Sequence, residues 1–193
     1  MSTSFRVRVA RIIFLVAVVG CIMCIALAEV TVKPKVVQLA TFEVMGVEVR
    51  TNNAKEAGAD GLIPKLWQQV TQEHLLDNVP GKIEQGIYAV YTDYASDAGG
   101  DYNLVIGAKF KPAADTIFPK GMVIKTVPAG RYAVFASDRG PVAKVVVETW
   151  KQIWSYYQSP ANGQRAYRAD FELYDQRAAD SNNAQVDIYI GLK

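Results

Sequence analysis

Thiols and imidazoles are almost absent from this chain. Among 193 residues there are two cysteines, Cys21 and Cys24, and one histidine, His74. Both cysteines fall in an apolar N-terminal stretch, so the chain beyond it has no disulfide, no thiolate metal site and no cysteine nucleophile. One histidine, placed beside Leu75 and Leu76, leaves no support for a Ser-His-Asp or Cys-His arrangement. It also leaves no cluster of the kind zinc requires. Phosphate-binding loops are missing too, because Gly99-Gly100 and the Gly58/Gly61 pair lack the glycine spacing between strand and helix that such loops need. Neither metal nor cofactor is expected.

A basic surplus is also lacking. The formal charge is +2, and residues 1–28 hold Arg6, Arg8 and Arg11 but no acid, so without them the balance is −1. Nothing in that balance attracts nucleic acid. The same three arginines precede an uninterrupted apolar run over residues 12–28 that ends in Ala26-Leu27-Ala28, a small-x-small cleavage pattern. This is the form of a secretory signal peptide. An uncleaved membrane anchor is the second reading, since the run has nearly the length that spans a bilayer. A lipoprotein signal is the third, because Val18-Val19-Gly20-Cys21 resembles a lipobox. The expected location is therefore periplasmic or secreted, or outside the cytoplasm on a membrane anchor.

What is present is a β-rich pattern with two amphipathic helices. Residues 29–40 read as a linker and residues 41–193 as one domain, long enough to bury a core. The alternation over residues 41–50 predicts a strand, and the Asn-, Gly- and Asp-rich residues 52–61 a loop. Asp60 is the expected N-cap of a helix whose apolar positions are Leu62, Ile63, Leu66, Trp67, Val70 and His74 or Leu75, which puts His74 on the helix. Strands follow at 87–94 and 102–110, joined as a hairpin, and again at 122–127 and 131–137. A second helix begins at Gly140-Pro141, with a stripe through Val145, Val146, Trp150, Ile153 and Trp154. Two more strands, 168–174 and 186–190, complete the chain.

This order repeats strand, helix, strand, strand. Leu66-Trp67-Gln68-Gln69-Val70 corresponds in place to Thr149-Trp150-Lys151-Gln152-Ile153, and Tyr102-Asn103-Leu104-Val105-Ile106-Gly107 to Val186-Asp187-Ile188-Tyr189-Ile190-Gly191. The expected fold is α+β: duplicated βαββ units forming an antiparallel sheet, with helices on one face and a ligand cleft on the other.

The stretch from Arg168 to Tyr174 carries the functional expectation. As a strand it sends Phe171 and Leu173 to one face and Asp170, Glu172 and Tyr174 to the other. The last strand sends Val186, Ile188 and Ile190 one way and Asp187 and Tyr189 the other. If both aliphatic sets pack under helices, Glu172, Tyr174 and Tyr189 share the opposite face. A carboxylate among aromatics is costly to bury unless a cation or hydrogen-bond donor meets it. The plainer reading is a solvated acid on an open sheet.

These residues resemble the GyrI-like effector-binding domains of AraC- and MerR-type regulators, which also occur as stand-alone proteins. The matching pieces are Phe42-Glu-Val-Met-Gly-Val-Glu-Val-Arg-Thr51, Ile63-Pro-Lys-Leu-Trp67, Gly100-Asp-Tyr-Asn-Leu-Val-Ile-Gly107, Val127-Pro-Ala-Gly-Arg-Tyr-Ala-Val-Phe135, Asp170-Phe-Glu-Leu-Tyr174 and Val186-Asp-Ile-Tyr-Ile-Gly191. The resemblance implies a small-molecule binding domain in which the acid at Glu172 faces an aromatic pocket and pairs with lipophilic cations. Tyr189, Tyr174, Tyr91 and Trp150 are the expected companions of Glu172 around the ligand. It also implies an alternative, a small hydrolase of reactive electrophiles with Glu172 as acid-base and Tyr189 or Tyr91 beside it. A third reading is an envelope protein whose sheet face binds another protein. No helix-turn-helix precedes the domain, and an exported domain has no access to cytoplasmic DNA, so the expected partner is a lipophilic or cationic small molecule, with no nucleic acid. Membrane contact is expected only if the N-terminal segment stays attached or is lipidated.

Overall fold

A computed structural model describes residues 33–193. The segment read as an export signal lies outside the described residues. Among those described, eight strands form one antiparallel half-barrel sheet. In chain order they are β1 (Lys35–Leu39), β2 (Phe42–Thr51), β3 (Lys82–Thr92), β4 (Tyr102–Phe110), β5 (Val123–Val127), β6 (Gly130–Ala136), β7 (Ala169–Tyr174) and β8 (Asp187–Gly191). Across the sheet the order is β1-β6-β8-β7-β3-β4-β2-β5, which puts β7 and β3 at the centre. Three helices complete the fold: α1 (Asn53–Glu56), α2 (Ile63–Gln72) and α3 (Val142–Tyr156).

Four local expectations change. The stretch read as a linker contains β1, whose Val36 and Val37 pair with Ala133 and Tyr132 of β6. Its β-branched residues close the sheet edge instead of spanning to it. The loop after β2 holds the short helix α1, capped by the Asn52 side chain accepting from the Lys55 amide. Asp60 does not cap α2. The Glu56 carboxylate accepts from the amides of Leu62 and Ile63, so the free donors at the helix start are met from the preceding turn. His74 lies past the end of α2 in a left-handed turn, with φ 52°, rather than on the helix.

Helices α2 and α3 pack on one face of the sheet. Leu66 and Val70 of α2 and Trp150 and Ile153 of α3 are buried against Met45, Leu104, Ile106, Phe135, Ile188 and Ile190. The other face is apolar as well: Val44, Val90, Val105 and Phe171 are at most 2% exposed, under cover of Phe42, Tyr88, Tyr132 and Tyr189. On this face Gly46 and Gly107 stand opposite each other, and a β-carbon on either would run into the backbone of the partner strand. Only glycine lets β2 and β4 approach so closely.

Candidate functional site

β7 is paired on both sides, with β3 through Ala89↔Glu172 and Tyr91↔Asp170, and with β8 through Glu172↔Ile188 and Phe171↔Tyr189. Directly paired residues share a face. Ile188 is part of the layer under the helices, so Glu172 is too. This corrects the expected arrangement: Glu172 and Tyr174 lie beneath α2 and α3, and Tyr189 is on the opposite face. There Tyr189 stacks on Phe171 with ring centroids 4.3 Å apart and planes 9° from parallel. Tyr189 therefore cannot share a ligand pocket or a proton relay with Glu172.

Glu172 is 2% exposed. Its Oε1 accepts from the Tyr91 hydroxyl at 2.7 Å and from Trp150 Nε1 at 2.6 Å, and its Oε2 from the Tyr174 hydroxyl at 2.6 Å. All three donors are neutral, and among the described residues no Lys, Arg or His pairs with it. Burial pushes the carboxyl above the usual carboxylate range, and the bonds from Trp150, Tyr174 and Tyr91 pull it back only in part. Burial, with the charge of Glu172 beside them, lifts the Tyr91 and Tyr174 phenols well above their ordinary value, so both remain donors.

Around the carboxylate the rings meet edge to face. Tyr91 lies 5.1 Å from Trp150 and 5.4 Å from Tyr102, and Trp67 of α2 lies 4.8 Å from Tyr174. The structure thus gathers four of the five expected residues, Glu172, Tyr174, Tyr91 and Trp150. It adds Trp67 and Tyr102. Trp67 was legible only as a core position at helical spacing, and Tyr102 only as the start of a strand.

Two residues along β7, Asp170 is also fully buried but differently served. Its Oδ2 accepts from Arg165 Nη2 at 2.6 Å and from the Tyr94 hydroxyl at 2.7 Å, and its Oδ1 from the Gly191 amide at 2.8 Å. The Arg165 guanidinium lies 4.5 Å from the Tyr167 ring and 5.7 Å from that of Trp150. Burial works against its charge, yet Asp170 beside it holds its pKa above the ordinary value.

Open cavities lie elsewhere, two of them lined as follows. One of about 230 Å³ on the face away from the helices is lined by Phe42, Tyr88, Lys109, Phe171, Leu173 and Tyr189. The other, about 300 Å³, lies between Gln69, His74 and Met122. Neither is lined by Glu172, which is enclosed within the protein instead. Among the described residues no His, Cys, Asp and Glu side chains gather to hold a metal, and no helix is long and apolar enough to cross a membrane.

The chain belongs to the integron-associated effector binding protein family, Cass2, whose family model matches residues 35–192. It is similar to YobU of Bacillus subtilis (strain 168), named for transcriptional regulation, with 36% identity over 149 residues, covering 77% of this chain and 90% of YobU. It is similar in structure to the integron cassette protein VCH_CASS2 from the mobile metagenome of Vibrio cholerae. That match has a TM-score of 0.63 and 26% identity, and covers 82% of this chain and 95% of the other. The fold also matches SAV2435 bound to tetraphenylphosphonium, with a TM-score of 0.68 at 21% identity over 83% of this chain and 93% of the other.

Proposed function

We propose that this domain binds amphipathic organic cations, with Glu172 as the anionic anchor and Trp150, Tyr91, Tyr174 and Trp67 as the aromatic wall. The observation that carries this reading is a buried carboxylate with three neutral donors and no cation. A cationic guest supplies the missing charge, and ring faces attract it by roughly 0.5–2 kcal/mol each. Neutral guests gain only from burial of apolar surface. Tetraphenylphosphonium, held by SAV2435, is a cation of this class.

The test is titration of tetraphenylphosphonium and of its neutral isostere tetraphenylmethane, made soluble by the same polar substituent on both. Glu172→Gln is expected to weaken the cation about tenfold, or about 1.4 kcal/mol, and to leave the neutral compound nearly unchanged. Equal loss for both, or none for the cation, would falsify the assignment. Turnover of an electrophilic analogue that stops with Glu172→Gln would replace it with the hydrolase reading, Tyr91 standing beside Glu172 in place of Tyr189.

The export reading belongs to the same proposal. Residues 1–28 act as a secretory signal, the mature protein starts at Glu29, and it meets its ligand outside the cytoplasm without a nucleic-acid partner. Intact mass of the protein from its producing cell decides this. A mass retaining Met1 to Ala28 overturns cleavage, and a lipid adduct on Cys21 converts the reading to a lipoprotein.

A further inference from the structure

Buried donors almost always find acceptors. Among the described residues two do not: Arg165 Nε and the Tyr157 hydroxyl are buried without a hydrogen-bond partner. Arg165 is 5% exposed, and its one ion pair uses Nη2, which leaves Nε–H free. Asp170 accepts from Arg165 through Nη2, from Tyr94 and from the Gly191 amide, and makes no bond with Nε. Tyr157 ends α3, the helix that carries Trp150, and packs on Phe135 and Tyr156.

This corner adjoins the Glu172 site through one side chain. The Trp150 indole donates its N–H to Glu172 and has the Arg165 guanidinium 5.7 Å from its ring centroid. Tyr167, whose ring lies 4.5 Å from the Arg165 guanidinium, is held at φ 51°, a left-handed conformation that a tyrosine adopts only when its surroundings enforce it. An anion and one unused donor are therefore set on one indole, and the helix that carries the indole ends in the second unused donor, Tyr157.

We propose that Arg165 Nε–H and Tyr157 O–H form a second subsite of the effector pocket, which takes an uncharged acceptor such as a ketone, ester or amide oxygen. The effector is then a cation carrying a carbonyl group on an aromatic spacer, rather than a purely hydrocarbon cation. The acceptor is uncharged because Asp170 already balances Arg165, and a guest anion would bring an excess negative charge into a buried site. This inference rests on the reading of Glu172 as the cation anchor.

The test uses two ammonium probes that differ at one position, para-benzoylbenzyl trimethylammonium and para-benzylbenzyl trimethylammonium, a ketone against a methylene. Calorimetric titration of the full chain is expected to give the ketone an advantage of about tenfold, the scale of one buried hydrogen bond gained against a methylene. Tyr157→Phe and Arg165→Lys should each reduce that advantage while leaving the methylene probe unchanged. Glu172→Gln should weaken both probes by the same factor. If the two probes bind wild type equally and both depend on Glu172, the free donors hold an ordered water only and the inference is overturned. If neither probe depends on Glu172, the anchor reading falls, while a ketone advantage lost in Tyr157→Phe still supports the donor subsite. Should Arg165→Lys fail to fold, Tyr157→Phe decides alone, since it removes a hydroxyl that no protein group uses.

Discussion

Asp170 and Glu172 stand two residues apart on one strand, point to the same face and are equally buried, yet they are neutralised in different ways. Asp170 has Arg165 and is complete within the protein. Glu172 has two phenols and an indole, which bond to its charge without cancelling it. A buried carboxylate retained without a counter-charge is a standing cost. That difference in counter-charge, rather than burial, is the basis for proposing Glu172 and not Asp170 as the ligand anchor.

The largest expected effect breaks the complete pair. Arg165→Met leaves Asp170 buried and uncompensated, which should cost about 3–5 kcal/mol in chemical denaturation. A loss under about 1 kcal/mol would show that Asp170 does not depend on its cation, and the contrast with Glu172 would lose its meaning.

A somewhat smaller effect separates the two tryptophans. Trp150 is 9% exposed and touches both carboxylate environments, so Trp150→Ala should cost about 3 kcal/mol or more. Trp67 is half-buried and meets only Tyr174 among the site rings, so Trp67→Ala should cost about half as much. Equal losses in parallel denaturation curves would mean that the wall on the α2 side is as deeply built as the one on the α3 side.

Much of this was legible in the sequence, because long-period signals are strong. The stripe of α3, the hairpin of β3 and β4 and the alternation within β7 and β8 all follow from residue spacing. The face to which each strand turns its apolar set was not legible. Phe171 and Ile188 are both apolar and both buried, but on opposite sides, because this half-barrel covers each of its faces: helices on one, Phe42, Tyr88 and Tyr132 on the other. With two dry faces, polarity no longer marks the outside, and only the register Phe171↔Tyr189 decides. Arg165 was equally hidden. It lies in an irregular segment before β7, and its pairing with Asp170 is a tertiary contact with no periodicity to announce it.

The smallest effect is the most diagnostic. Glu172→Gln keeps the size of the side chain and an acceptor for the indole, and the Tyr174 phenol can turn to accept from the new amide, so stability near neutral pH should change by under about 1 kcal/mol. Its pH dependence should not match wild type. Burial raises the folded-state pKa of Glu172, so in the window from the usual carboxylate range up to that raised value the folded protein holds a proton that the unfolded chain has released. That contribution is fully present below the window and is lost as pH rises through it. Wild type should therefore lose stability relative to Glu172→Gln as pH climbs across the window, and cation affinity should rise over the same interval as the carboxylate ionises. Paired denaturation and binding titrations follow both trends on one protein. A wild type that instead gains stability with rising pH relative to the variant would mean that Glu172 has a depressed pKa. It would then be paired as Asp170 is, leaving no open charge for a ligand to meet.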